Sequence, residues 1–214
     1  MKLIGMLDSP YVRRVAISLQ LLGLAFEHQS LSVFRTFAQF RDINPVVKAP
    51  TLVCDDGEVL MDSTLILEYA EARARPRSLL PREPAALQHE LRLLGLALAA
   101  CEKAVQIVYE RNQRPAEKLH EPWVQRVSGQ LLAAFEALEN ALARRPPPQA
   151  SAALRQADVT IAVAWHFARQ MVADIVPAAR FARLVAFSDA AERLPEFRAA
   201  PYGDGTYVAA RAAT

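Results

Sequence analysis

Two hydroxyl side chains stand where helices should begin, and each is placed to meet a ligand. Ser9 follows Asp8 and precedes Pro10. Serine is a good N-cap, and proline fits the first helical position because its missing N–H would go unpaired there anyway. Ser63 follows Asp62 and opens a second helix whose apolar residues are Leu65, Ile66 and Tyr69. The first turn of a helix offers N–H groups without intrahelical partners and the positive end of the dipole, which suits a carboxylate. Pro50 stands just before a short apolar run, Thr51 to Cys54. An Ala49–Pro50 bond can be cis, and a cis bond turns neighbouring backbone groups toward a ligand instead of a ladder. One stretch, residues 44 to 68, could thus hold a small peptide by its backbone at Ala49 and by its carboxylate at Ser63. The plainer alternative is a proline-rich turn, a hairpin and a capped helix, with Ser9 an ordinary cap. No His, Asp or Glu set has the spacing of a metal site. Trp165 and His166 lie on an apolar run, where a lone histidine is more often a hydrogen-bonded core residue than a ligand.

The elements that must position these residues follow from periodicity. Residues 2 to 7, Lys-Leu-Ile-Gly-Met-Leu, read as a strand. Val12, Val15, Ala16, Leu19 and Leu22 then recur at helical spacing, and Gly23 closes that helix. Residues 25 to 31 read as a second strand, parallel to the first because a crossover helix joins them. Val33 to Asp42 is weakly helical. Thr51–Cys54 and Glu58–Met61 form a hairpin about Asp55-Asp56-Gly57, since glycine tolerates the positive φ such turns need. Arg73, Arg75, Arg77 and Arg82, with Pro76, Pro81 and Pro84, read as a solvated connector. Everything beyond is helical. Ala85 to about Arg111 carries Leu87, Leu91, Leu94, Leu98, Cys101, Val105 and Val108 on one face. Pro122 starts a second long helix with Trp123, Val127, Leu131, Phe135, Leu138 and Leu142, ended by Pro146-Pro147-Pro148. Two such helices side by side make the core of a bundle. Val159 to Phe167 is apolar on nearly all sides, as a central buried helix should be.

Bulk properties narrow the class. The chain has 214 residues, room for one large domain or two small ones. Its net charge is +2, spread along the chain, so neither nucleic acid nor a membrane is implied as a partner. No apolar stretch is long enough to span a bilayer, and the first residues lack the pattern of a secretory signal. Cys54 and Cys101 show no metal or redox spacing and suit a reducing compartment. These features point to a cytoplasmic protein.

Asn44-Pro45, Lys48-Ala49-Pro50 and Asp62-Ser63 resemble the N-P-x-x-K-V-P-x-L and E/D-S pattern of the glutathione S-transferases. Ser-Pro-Tyr-Val-Arg-Arg-Val at residues 9 to 15 resembles the S-P-F-x-R-[RK]-V start of serine-type bacterial and tau-like members. Leu79-Leu80-Pro81 resembles the family's connector, and Pro195-Glu196-Phe197 a step near its last helix. Ala49 stands where valine is usual, Asp62 where Glu or Gln is common, and Arg155 where the family has the hydroxyl of an S/T-x-x-D capping box. Of that box only Ala157-Asp158 matches, with Asp158 structural.

The resemblance implies an α+β thioredoxin-like, glutathione-binding domain at residues 1 to 75, a linker at 76 to 84, and an all-α helical-bundle domain at 85 to 214. It implies glutathione as co-substrate, no metal, and attack of the bound thiolate on a small hydrophobic electrophile or a peroxide. A non-catalytic glutathione-binding or regulatory module is the alternative, and a glutathione-dependent lyase or dehalogenase a third reading. Ser9 is the catalytic candidate. Its hydroxyl would donate to the thiolate, and a helix end that lowered the thiol pKa from ~8.5 by about two units would ionise most of it at neutral pH. Absence of cysteine there argues against thiol transfer. Ala49, Pro50 and Ser63 would bind glutathione. Lys48 would pair with its glycine carboxylate, or stay solvated. Asp62 would hold its ammonium group, or serve the helix dipole. Arg35 or Phe34 would line the same edge. Tyr11, Gln106, Tyr109 and Asn112 would line the second-substrate pocket. Arg13 is expected to face solvent or a partner. A homodimer is expected, with the Asp62 helix of one chain against the Ala85 helix of the other. The small residues at the end of the chain are expected to be loose.

Overall fold

Four short strands make one mixed sheet: β1 (Lys2–Ile4), β2 (Glu27–Gln29), β3 (Thr51–Val53) and β4 (Val59–Met61), in the order β2-β1-β3-β4. The computed structural model describes residues 1–207, and the end of the tail lies outside them. β2 runs parallel to β1, with Leu3 opposite His28. β3 is antiparallel to β1, with Leu52 opposite Leu3, and β4 is antiparallel to β3. The helices are α1 (Pro10–Leu21), α2 (Phe37–Ile43), α3 (Ser63–Arg73), α4 (Pro84–Gln113), α5 (Glu121–Ala141), α6 (Gln156–Met171), α7 (Ala182–Glu192) and α8 (Pro195–Ala199). This is a thioredoxin-like βαβ–ββα unit followed by a helical one.

β1 is shorter than its apolar run, because Gly5 turns the chain out of the sheet at φ +134°. A Cβ there would lie 2.6 Å from Val12 Cγ2 and 3.2 Å from Ala49 Cβ, so glycine lets three segments meet. Leu3, Ile4, Val12, Val15, Ala16, Leu19, Leu52 and Ile66 form the core of this unit. Leu65, expected in that core, is 58% exposed, and Leu67 is buried in its place. The buried row of α3 begins at Ser63 and continues through Ile66, Leu67 and Ala70, so a polar residue leads it.

The chain parts into two units between Leu79 and Leu80, within the stretch read as a connector. From Arg193 it groups again with the sheet rather than with the helices before it. Arg13 is a reason. It is buried on α1, not facing solvent; its Nε donates to Ala200 O at 2.8 Å and its Nη2 to Phe197 O at 3.5 Å. Gln20 Nε2 donates to Glu196 O at 3.0 Å. Farther on, Tyr207 stacks on Phe26 with ring centroids 4.5 Å apart, and its N–H donates to His28 Nδ1 at 3.0 Å. His28 Nε2 lies 2.7 Å from Gly5 O. With Nδ1 accepting, Nε2 must be the donor, so His28 is held neutral in one tautomer. Burial also lowers its pKa below the ordinary 6.5, against the pull of the Gly5 carbonyl.

In the helical unit α4 packs against α5 and α6 through Leu93, Leu94, Ala97, Ala100, Cys101, Ala104 and Ile107. The expected leucine face is turned outward in part, with Leu91 49% exposed. Alanines hold the inner face because they let helix axes approach closely. On α5, Trp123 is exposed and Val124 is buried instead. α6 is buried nearly all round, as expected. Its Trp165 packs edge-on against Phe135 and Phe181. His166 Nδ1 lies 3.3 Å from Glu192 Oε1, at the edge of the core.

The start of α6 resolves the missing half of its capping box. Arg155 has no acceptor to offer the first-turn N–H groups. The Arg155 N–H donates to Asp158 Oδ2 at 2.9 Å, so one half of the box is kept. The other is replaced from α4, where buried Glu90 accepts the Ala157 N–H at 2.8 Å. Arg145 bridges the two carboxylates, at 2.7 Å from Asp158 and 3.5 Å from Glu90. Burial pushes the Asp158 carboxyl up, and the Arg145 charge pulls it back.

Candidate active site

Ser9 caps α1 weakly. Its Oγ accepts the Val12 N–H at 3.5 Å, and among the described residues its own proton has no acceptor. A hydroxyl in that state can donate outward while its oxygen stays over the helix end. Asp8 is half-buried beside it, and burial raises the Asp8 carboxyl above its ordinary value, against the nearby Arg35 charge. Arg35 is exposed, 3.5 Å from Met6 Sδ and 3.6 Å from Asp204.

The loop before β3 is folded by a residue the sequence reading passed over. Asn44 is buried; its Nδ2 donates to Thr51 Oγ1 at 2.8 Å and its Oδ1 accepts the Val46 N–H at 3.0 Å. Thr51 Oγ1 donates in turn to Lys48 O at 2.8 Å. Val47 sits at φ +52°, and the Ala49–Pro50 bond is cis. Asn44-Pro45 was the available signal, since an Asx side chain folds onto the backbone two residues on.

At the start of α3, Asp62 has φ +71° and its Oδ1 accepts the Thr64 N–H at 2.9 Å. Its Oδ2 lies 3.5 Å from Lys48 Nζ, with both side chains about half exposed. Two residues expected to bind opposite ends of a ligand therefore pair with each other, and Asp62 is also the helix cap. Ser63 is 3% exposed and accepts a hydrogen bond from Arg14 Nη1 at 2.9 Å. Arg14 is the second site residue that sequence reading missed. Its position in α1, one turn beyond Ser9, was visible, but not its direction.

The structure thus brings together Lys48 with Asp62, Ala49 with Gly5 and with Val12, whose N–H donates to Ser9, and Ser63 with Arg14. Tyr11 is half-buried in the first turn of α1. Gln106, Tyr109 and Asn112 belong to α4 of the helical unit. Gln106 Nε2 donates to Glu102 Oε1 at 2.8 Å, while its buried Oε1 has no partner among the described residues. Tyr109 and Asn112 are exposed. That unit also holds a cleft of about 760 Å³ bordered by His89, Glu90, Arg92, Arg144, Arg145 and Arg155, and by none of the expected site residues. Among the described residues no group of three or more His, Cys, Asp or Glu could hold a metal ion, and no helix is long and apolar enough to cross a membrane.

Residues 3–78 match the family profile described as glutathione S-transferase, N-terminal domain. The GST-like protein YibF of Escherichia coli (strain K12) is 30% identical over 142 residues, 66% of this chain and 70% of its own. A glutathione S-transferase of Methylobacterium radiotolerans, solved with glutathione sulfonate, has a TM-score of 0.84 at 24% identity and covers 99% of this chain and 98% of its own. A glutathione transferase family member of Pseudomonas fluorescens Pf-5, solved with bound glutathione, has a TM-score of 0.80 at 27% identity, covering 93% of this chain and 97% of its own. With this profile match, this relative and the capped, cis-proline site on the sheet, the chain belongs to the glutathione S-transferase family.

Proposed function

We propose that the protein is a serine-type glutathione transferase of the cytoplasm that conjugates glutathione to a small hydrophobic electrophile. The observation that carries this reading is the Ser9 hydroxyl, set at a helix N-terminus with its proton unclaimed among the described residues. That proton would donate to the glutathione sulfur as the thiol loses its own proton to solvent. The helix end favours the anion, and the thiolate is the nucleophile. It attacks the electrophilic carbon, a C–S bond forms, and the leaving group departs with its electron pair. With a peroxide the thiolate would attack oxygen instead, breaking the O–O bond to release an alcohol and leave a sulfenic acid, which a second glutathione would convert to the disulfide and water.

Backbone at Ala49 and Pro50 would hold the peptide, and Ser63 its γ-glutamyl carboxylate. The Lys48–Asp62 pair would open to take the glycine carboxylate and the ammonium group. On α4, Gln106, Tyr109 and Asn112, with Tyr11 of α1, are proposed as the residues whose substitution changes the choice of electrophile. Exposed Leu65 and Leu91 support a homodimer through the α3 helix of one chain and the α4 helix of the other.

The test is retention on immobilised glutathione followed by conjugation of a general aromatic halide. Retention with turnover supports the enzyme. Retention with no turnover of halides or peroxides would make the protein a glutathione-binding module, and no retention would overturn both readings.

A further inference from the structure

The cleft of the helical unit gathers arginines from three separate places in the chain. It holds about 760 Å³, within the range of small-molecule sites. Arg92 comes from α4, Arg144 and Arg145 from the turn after α5, and Arg155 from the residue before α6. Arg145 is already held, between Glu90 and Asp158. Arg92, Arg144 and Arg155 are exposed, and their side chains have no acid partner among the described residues. Elsewhere in this unit Arg111, Arg114, Arg180 and Arg183 each face an acid: Asp174, Glu110, Glu136 and Glu139 in turn. The wall of the cleft carries one acid, Glu90, which is 1% exposed and spent on Arg145 and the Ala157 N–H. Counting Asp158 behind it, two carboxylates stand against four guanidinium groups. A concave wall of one sign focuses potential and concentrates the opposite ion.

The chemistry of the wall selects the ion. A guanidinium is a fixed cation that donates from a planar fork and accepts nothing. A ligand with one charge would meet one arginine and leave the others repelling. A carboxylate is planar, so it serves forks that arrive in its plane. A phosphate carries up to two charges and presents oxygens in several directions, and a chain of phosphates reaches several forks at once. The remaining lining is largely small and apolar, with Ala86, Leu93, Ala137 and Ala141, and leaves room for a flat organic group. We infer that this cleft is a second binding site, which takes a polyphosphate group through Arg92, Arg144 and Arg155. None of these residues belongs to the Ser9 site, so the outcome is independent of the glutathione reading.

The full chain is titrated by calorimetry with adenosine triphosphate, inorganic tripolyphosphate and citrate at ~0.15 M salt, where well-separated exposed charges are largely screened. Both phosphates should bind. Arg92→Gln, Arg144→Gln and Arg155→Gln should each weaken tripolyphosphate about tenfold, as expected for loss of a charge-assisted bond. Arg126→Gln, at an exposed arginine of α5 outside the cleft, should leave it unchanged. All four side chains are exposed, and unaltered unfolding midpoints without ligand check that the variants fold. Tighter binding of the nucleotide than of tripolyphosphate identifies a nucleotide site, with the base on the apolar lining; equal binding identifies a site for the phosphate chain alone. Failure of both phosphates to bind at millimolar concentration would overturn the inference. So would binding that Arg126→Gln weakens as much as the cleft variants do, or citrate binding as tight as tripolyphosphate. If the cleft variants instead halve the mass in light scattering, the arginines serve a contact between copies of the chain, and the second site falls.

Discussion

At the scale of single residues, Ser9 carries two separable roles. As a cap alone, Ser9→Ala should cost about 0.5–2 kcal/mol of stability and leave the thiol of bound glutathione unchanged. As a donor to the thiolate, the same substitution should also raise that thiol pKa and slow turnover near neutral pH, with affinity nearly intact. The expected outcome is the second, because the cap bond is long at 3.5 Å and the proton is unclaimed among the described residues. Thiolate absorbance of the complex against pH, in wild type and variant, decides it; superimposable curves would move attention to Tyr11. Ser63→Ala should weaken glutathione binding by about 1–2 kcal/mol, since a hydrogen bond to a charged group is lost. Unaltered affinity by calorimetry would remove Ser63 from the site. The hydroxyls at helix starts were legible because capping is a local rule. Arg13 and Arg14 were not, because a buried arginine looks in sequence like any solvated one, and its partners here stand 187 and 49 residues away.

At the scale of elements, the parallel first pair of strands, the hairpin and the long helices followed from period and turn chemistry. The faces of those helices followed less well. Sequence reading weighted the bulky residues of α4; Leu94 and Cys101 are buried as expected, but Ala97, Ala100 and Ala104 join them while Leu91 is exposed, and periodicity could not rank two overlapping stripes a fraction of a turn apart. The capping box at α6 shows a second limit, since its replacement comes from another helix. Glu90 is 1% exposed and holds both the Ala157 N–H and Arg145. Glu90→Ala should therefore destabilise the protein by about 3–5 kcal/mol in urea unfolding, the cost of breaking a buried ion pair. A loss below about 1 kcal/mol would show that Asp158 alone suffices. The edge strand β2 makes a pH prediction. His28 has a folded pKa below its ordinary 6.5, so as pH falls the unfolded chain takes up the proton first. Its contribution is complete above 6.5 and is lost as pH falls from there toward the folded value. Protonation at Nδ1 would set two N–H groups against each other at Tyr207. Unfolding curves from about pH 7.5 to about pH 5 should show a smaller loss for His28→Gln than for wild type; equal losses would show that His28 does not hold the segment.

At the scale of the whole molecule, the exposed leucines of α3 and α4 make a two-fold dimer the expected state, since self-complementary patches close on themselves. Light scattering at micromolar concentration should give twice the chain mass, and charging both faces with Leu65→Glu and Leu91→Glu should halve it. A wild-type monomer would contradict the assembly. The closing contact of Arg13 with Ala200 bears on how the chain is made. The strands leave the ribosome well before the carbonyls that receive the buried guanidinium of their unit, which follow 187 residues behind. The sheet unit is thus begun before the helical unit and completed after it, and its topology carries contacts of long sequence separation that slow folding. A nascent chain stalled after Glu192 should remain protease-sensitive in its first 79 residues, the span that begins the sheet unit, and become resistant only when the segment through Tyr207 has emerged.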